Sequence, residues 1–146
     1  MRRALLLIAL TAGLIGPAGA FEFEPVKPLD VKSVDPALLA DIYGAWEIRD
    51  KSGQRRCRIN LLKDFTIGGY QIEVAPGCAK AFPVMDDISA WRLLQGWSID
   101  LVDPLRKTRV RFETPDNRYV PFGDEKDIAG IHEFVKIKDK AAPGKK

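Results

Sequence analysis

Hydrophobic and polar residues alternate with a period of two over most of the chain from residue 44 onward. Residues 56–61 place their apolar side chains on one face, and residues 108–113 repeat the pattern. Such alternation is typical of half-buried antiparallel strands. Further runs of this kind cover residues 46–50, 70–74, 88–94, 97–102, 118–122 and 129–137. The pattern therefore predicts about eight short strands.

The spacing of these strands is that of a small all-β sandwich or barrel. We favour a compact eight-stranded antiparallel barrel, because an up-and-down closure leaves no exposed sheet edge. The interior would be filled by large aromatic side chains, which leaves little room for a large ligand. The tryptophans expected in this barrel core are Trp46, Trp91 and Trp97.

The segment before the strands has a different character. Pro25 and Pro28 favour extended backbone over residues 21–28, since proline also restricts the residue before it. Asp35 is a suitable N-cap and Pro36 a suitable first helical residue, so we expect a short helix over 36–41. The mature chain thus divides into an extended N-terminal trunk (21–35) and a barrel domain (36–137).

Residues 1–20 have the features of a removable export signal. Arg2 and Arg3 precede an apolar stretch, and small residues end it at Ala18 and Ala20, which predicts cleavage after Ala20. The apolar stretch is shorter than the ~20 residues of a membrane-spanning helix. We therefore expect a periplasmic protein without a membrane span, whose mature chain begins at Phe21.

The net charge of +3 is distributed unevenly along the chain. The body from Phe21 to Val135 holds 16 basic and 19 acidic residues, while residues 138–146 form a Lys-rich tail that we expect to be flexible. A nucleic-acid-binding domain would need a basic face of its own. The charge balance of the body indicates no nucleic-acid partner.

Two cysteines, Cys57 and Cys78, are the next candidates for chemistry. In an oxidising compartment they are best interpreted as one disulfide. The alternative is a reactive thiol at Cys57, which the neighbouring Arg56 and Arg58 would stabilise as a thiolate.

Other candidates favour structural roles. We expect His132 to be structural or solvent-facing, Asp86 and Asp87 to lie in a solvated turn, and Arg109 with Arg111 to form an exposed strand face. The sequence contains no nucleophile elbow, phosphate-binding loop, His-Glu-x-x-His motif or dinucleotide fingerprint. It therefore predicts a protein that is not an enzyme, with no cofactor and no metal of its own.

An ordered combination of residues resembles the bacterial alkaline-proteinase inhibitor family, whose periplasmic members block secreted serralysin-type zinc metalloproteases. The resemblance covers roughly residues 38–137. It consists of a short helix, Gly44-Ala45-Trp46, a cysteine at Cys57, the turn Pro76-Gly77-Cys78, Trp91, and Gly96-Trp97-Ser98-Ile99-Asp100-Leu101.

The resemblance implies a lipocalin-like barrel whose N-terminal trunk enters the active-site cleft of the protease, in a 1:1 complex of a monomeric inhibitor. In the family the free α-amino group at the start of the trunk contacts the catalytic zinc. An extended segment can add its backbone to a protease cleft, and a deprotonated amine can ligate an open zinc site. The equivalent protease-binding residues here are Phe21, Glu22, Phe23, Glu24 and Pro25.

Alternatives remain open for the trunk and for the barrel. This trunk begins with aromatic and acidic residues, so Glu22 or Glu24 is a second candidate for approaching the metal. The trunk is alternatively a disordered linker, and the domain a lipocalin-like ligand-binding or cell-envelope structural barrel without a protease target. Related outer-membrane lipoproteins share the barrel, but no lipid-acceptor cysteine follows Ala20.

Overall fold

The computed structural model describes residue 19 and residues 21–138. The predicted signal segment and the Lys-rich tail therefore lie outside the described residues, apart from Gly19 and Lys138. Two short α-helices, α1 (Pro36–Ala40) and α2 (Cys78–Ala81), accompany the strands. Neither described helix is long and apolar enough to cross a membrane. The strands are β1 (Gly44–Arg49), β2 (Arg56–Thr66), β3 (Gly69–Val74), β4 (Ala90–Leu93), β5 (Ile99–Val102), β6 (Thr108–Glu113), β7 (Val120–Phe122) and β8 (Glu133–Lys136).

The eight strands form one antiparallel sheet in the order β7-β6-β5-β4-β3-β2-β1-β8. The predicted number of strands and their antiparallel pairing are confirmed. Strands β7 and β8 stand at the two ends of this order. Within residues 21–138 an isolated bridge connects Tyr119, just before β7, to Phe134 of β8, and no ladder between β7 and β8 closes the sheet.

Helix α1 begins where the sequence predicts. The Asp35 carboxylate accepts a hydrogen bond from the Ala37 N–H at 2.8 Å, and Pro36 occupies the first turn. The helix buries Leu39 and leaves Leu38 exposed. Three short 3₁₀ segments were not predicted; they are Val31–Ser33, Pro83–Asp87 and Gln95–Trp97.

The inner face of the sheet is filled by aromatic and aliphatic side chains. The ring of Phe134 stacks on Trp46 and on Phe112, with centroid distances of 4.6 and 4.4 Å. Trp91 is fully buried, and its indole N–H donates to the Leu62 carbonyl at 3.1 Å. This donation satisfies the polar atom that burial of a tryptophan would otherwise leave unpaired.

Trp97 differs from the expectation, because it is half-buried at the margin of the core. The sequence pattern placed it at the start of a strand. It instead ends the 3₁₀ segment Gln95–Trp97, with a φ of 64°. A strand requires extended backbone, so a residue in the left-handed region leaves the alternation.

Strands β5 and β6 are covered on both faces. Every residue of β5 is buried, including Asp100 and Val102, which alternate with the core residues Ile99 and Leu101. Arg111 of β6 is only 5% exposed. The prediction that Arg109 and Arg111 form an exposed strand face was therefore wrong, because the period-two pattern does not show what packs against the outer face.

Candidate functional site

The N-terminal trunk packs against the outer face of the sheet. The Leu29 N–H donates to the Leu93 carbonyl at 3.0 Å, and the Gln95 N–H donates to the Lys27 carbonyl at 2.9 Å. Pro28 lies between these bonds, in an antiparallel bridge with Leu94. Residues 27–29 are thus attached beside β4 like a short additional strand, which does not fit a disordered linker.

Arg111 makes a second attachment further toward the N-terminus. Its Nη1 donates to the Glu24 carbonyl at 2.8 Å, and its guanidinium lies over the ring of Phe23, 5.1 Å from the centroid. Nε and Nη2 of the same side chain donate to the two carboxylate oxygens of Asp100 at 2.7 and 2.9 Å. The Thr108 hydroxyl donates to Asp100 Oδ2 at 2.8 Å. We call Arg111, Asp100 and Thr108 the trunk clamp.

The two charged residues of the clamp are buried and carry opposite charges. The side chains of Arg111 and Asp100 are 6% and 2% exposed. The hydrogen bonds from Arg111 to Asp100 raise the pKa of the guanidinium, against the opposite effect of burial. Because such a pair costs desolvation, it is retained only with good geometry and satisfied hydrogen bonds, and both conditions hold here.

The three residues before Glu24 form what we call the tip (21–23). The rings of Phe21 and Phe23 meet edge to face with centroids 4.9 Å apart. Phe21 is 42% exposed and Glu22 is exposed, whereas Phe23 is half-buried. A cavity of about 280 Å³ lies beside the tip, between Arg111, Glu113 and Phe122. The predicted trunk residues therefore lie together at one surface, with Glu24 and Pro25 also exposed.

Cys57 and Cys78 form the predicted disulfide, with Cα atoms 4.7 Å apart. Both cysteines are buried, and the bond connects β2 to α2. The reactive-thiol alternative for Cys57 does not apply to this structure. Helix α2 was not predicted; Gly77, with a φ of 87°, turns the chain into it at the Pro-Gly signal.

The remaining candidates do not converge on a reactive centre. His132 is exposed, and its backbone N–H donates to the Arg49 carbonyl at 2.8 Å. Asp87 pairs with Arg109 at 3.0 Å, and Asp86 is exposed. Within residues 21–138, no group of three or more His, Cys, Asp and Glu side chains is placed to hold a metal ion.

The residues that sequence reasoning missed are Asp100 and Arg111. Asp100 is the one charged residue of the apolar strand β5, Arg111 is a basic residue of the alternating strand β6, and the two strands follow one another in the chain. Oppositely charged residues on neighbouring antiparallel strands pair across the sheet, and Asp100 is opposite Arg111 in the register. That signal indicates the ion pair, but nothing in it indicates that the trunk covers the pair.

These features define a small disulfide-linked all-β domain that presents an extended N-terminal segment at its surface. The sequence model of the family described as protease inhibitor Inh matches residues 38–125. The chain belongs to this family, which confirms the resemblance identified from the sequence. No curated protein matches the chain. The family match begins at Leu38, so the trunk and its tip precede it.

Proposed function

We propose that this protein inhibits a secreted serralysin-type zinc metalloprotease by inserting the tip of its trunk into the active-site cleft. The family supports a protease as the partner and an inhibitor rather than an enzyme as the role. The observation that carries the finer proposal is the attachment of the trunk to the sheet at Glu24 and at 27–29, which leaves Phe21 and Glu22 exposed.

An attached trunk suits insertion for an energetic reason. Ordering a free segment on binding costs conformational entropy, so a segment already extended on its own domain binds with a smaller loss. The three residues before Glu24 span about 10 Å when extended. That length suits entry into a cleft by strand addition, with the barrel domain stopping at the entrance.

The contact with zinc belongs to the same proposal. Cleavage after Ala20 in the periplasm would place a free α-amino group on Phe21, and a deprotonated amine is a suitable ligand for the open position of a catalytic zinc. Glu22 is the second candidate ligand, because it is exposed at the tip. We also propose that the sheet forms a lipocalin-like barrel, which the bridge between Tyr119 and Phe134 supports, and that one inhibitor binds one protease.

The alternative of a ligand-binding or envelope structural barrel has less support. A ligand-binding barrel needs interior space, whereas Trp46, Trp91, Phe112 and Phe134 occupy the inner face of the sheet here. The family assignment also favours a protein partner.

The test is a titration of a serralysin-type protease with the mature protein beginning at Phe21. We expect stoichiometric loss of protease activity at micromolar concentration, and absence of inhibition would reject the proposal. Deletion of 21–23 should abolish most of the potency. A variant with one extra N-terminal Gly displaces the amine but keeps Glu22, so it should lose potency if the amine is the ligand. Glu22→Gln should lose potency if the Glu22 carboxylate is the zinc ligand.

A further inference from the structure

The trunk clamp has a feature that strand pairing alone does not explain. Arg111 has three polar donors facing two different partners: two toward Asp100 of β5 and one toward the backbone of Glu24. We propose that Arg111 is the positioning residue of the inhibitory trunk, which sets the direction in which the tip leaves the sheet. The inference rests on the proposed function, because it concerns the segment that would enter the protease.

The orientation of the guanidinium is determined by the sheet and not by the trunk. Asp100 accepts through both carboxylate oxygens, in the parallel two-bond geometry that only arginine provides. Thr108 Oγ1 donates to the same carboxylate and restrains it further. Nη1 therefore points toward Glu24 before any partner binds, and the planar face remains available to the ring of Phe23.

The desolvation cost of burying Arg111 and Asp100 also indicates that the pair serves to hold the trunk. Buried ion pairs are often replaced by apolar side chains without loss of stability, so packing of β5 on β6 does not itself require one. What an apolar pair lacks is a donor for the Glu24 carbonyl. The trunk in turn covers the pair, since Phe23, Glu24 and Pro25 line the same cavity as Asp100 and Arg111.

Two attachment points are needed to define a direction. The backbone bonds at Lys27 and Leu29 attach the trunk beside β4. With these bonds alone, the residues before Lys27 would be free to change direction. The bond from Arg111 to Glu24 supplies the second point, three residues earlier. The two points together fix the course of residues 24–29, and with it the direction in which the chain continues into the tip.

The experiment measures tip mobility and inhibition separately. Chymotrypsin cleaves after aromatic residues and more slowly after leucine, and loss of the tip by cleavage after Phe23 is visible as a change in intact mass. Arg111→Lys keeps the charge beside Asp100 but loses the two-bond fork, and Arg111→Met loses both. We expect each to speed loss of the tip at least tenfold and to raise the inhibition constant at least tenfold.

Arg49→Met is the matched control. Arg49 is a partly buried arginine of β1 that pairs with Glu47 at 2.6 Å, away from the trunk. It should change neither the cleavage rate nor the inhibition constant more than about twofold. Equal effects of the Arg49 and Arg111 variants would assign Arg111 a general structural role and overturn the proposal.

Phe23→Leu keeps the inference testable if the Arg111 variants do not fold, because Phe23 lies outside the sheet. It removes the ring over the guanidinium and should speed tip cleavage, here after the introduced leucine, severalfold relative to cleavage of a free peptide of residues 21–30 that carries the same substitution. Unchanged cleavage, or faster cleavage with unchanged inhibition, would overturn the positioning role while leaving the inhibitor proposal intact. A wild-type protein that inhibits no protease but whose tip is released by Arg111→Lys would reject the proposed function instead.

Discussion

The backbone N–H of Phe134 donates to the Tyr119 carbonyl at 3.4 Å, and the two rings meet edge to face with centroids 5.9 Å apart. Tyr119 precedes β7 and Phe134 belongs to β8, the strands at the two ends of the sheet order. One backbone bond and one ring contact therefore connect the residue before β7 with β8. Phe134 also stacks between Trp46 and Phe112, so the junction continues into the core.

Truncation of Phe134 should be among the most destabilising substitutions. The side chain is 2% exposed, and Phe134→Ala removes three ring contacts and leaves a cavity. We expect a loss of about 3–5 kcal/mol in the free energy of unfolding, measured by urea titration. Phe122→Ala on β7, where the side chain is 45% exposed, should cost about 1 kcal/mol or less. Equal losses of unfolding free energy in the two variants would show that the ring contacts of Phe134 add no stability beyond that of an exposed strand residue.

Tyr119 should be the last tyrosine to ionise. Burial raises its pKa to about 12, and its hydroxyl donates to the Trp97 carbonyl at 2.8 Å. A raised pKa of an acid means that stability is complete below the ordinary value near 10 and is lost as pH rises toward 12. Absorbance of tyrosinate against pH should show a high-pH component that Tyr119→Phe removes. Removal of that component by Tyr70→Phe instead would contradict the assignment.

The disulfide should contribute strongly to stability for a domain of this size. Cys57 and Cys78 are 21 positions apart, and closing a loop of this length is worth about 3 kcal/mol in the unfolded-chain model. The double substitution Cys57→Ala with Cys78→Ala should lower the free energy of unfolding by that amount. A reductant should lower the urea midpoint of the wild type and leave that of the double variant unchanged.

Asp127 should give the protein an acid-sensitive contribution. Arg109 donates to both of its carboxylate oxygens at 2.8 and 2.9 Å, and these bonds lower the pKa of Asp127 below its usual value near 3.8. A lowered pKa contributes stability above about pH 4, which is lost as pH falls through the lower folded value. Asp127→Asn should therefore cost about 1–3 kcal/mol at pH 7, with the difference shrinking in strong acid.

The control for this pair is Asp116→Asn. Asp116 pairs with Arg118 at 3.2 Å, but both side chains are more than half exposed. Exposed pairs contribute about 0–1 kcal/mol. If Asp127→Asn lowers the free energy of unfolding by the same amount at every pH, packing and not the ion pair accounts for its effect.

The chain itself contains the information for its local elements. Alternation over 56–61 and 108–113 predicts β2 and β6, and Asp35 with Pro36 predicts the start of α1. Two cysteines on neighbouring elements predict the disulfide. These are short-range signals, in which the side-chain period or a cap is read directly from adjacent residues.

Other features depend on residues that are distant in the chain. Glu24 and Arg111 are 87 positions apart, and Trp97 leaves its expected strand through a left-handed backbone conformation. The alternating pattern predicts that Arg111 faces away from Ile99 and Leu101. That this outer face is covered follows only from the position of the trunk in the folded chain. Local sequence patterns are thus sufficient to predict the strands, helix α1 and the disulfide. The place where the trunk attaches follows only from the folded chain, because that attachment depends on hydrogen bonds between residues brought together by folding.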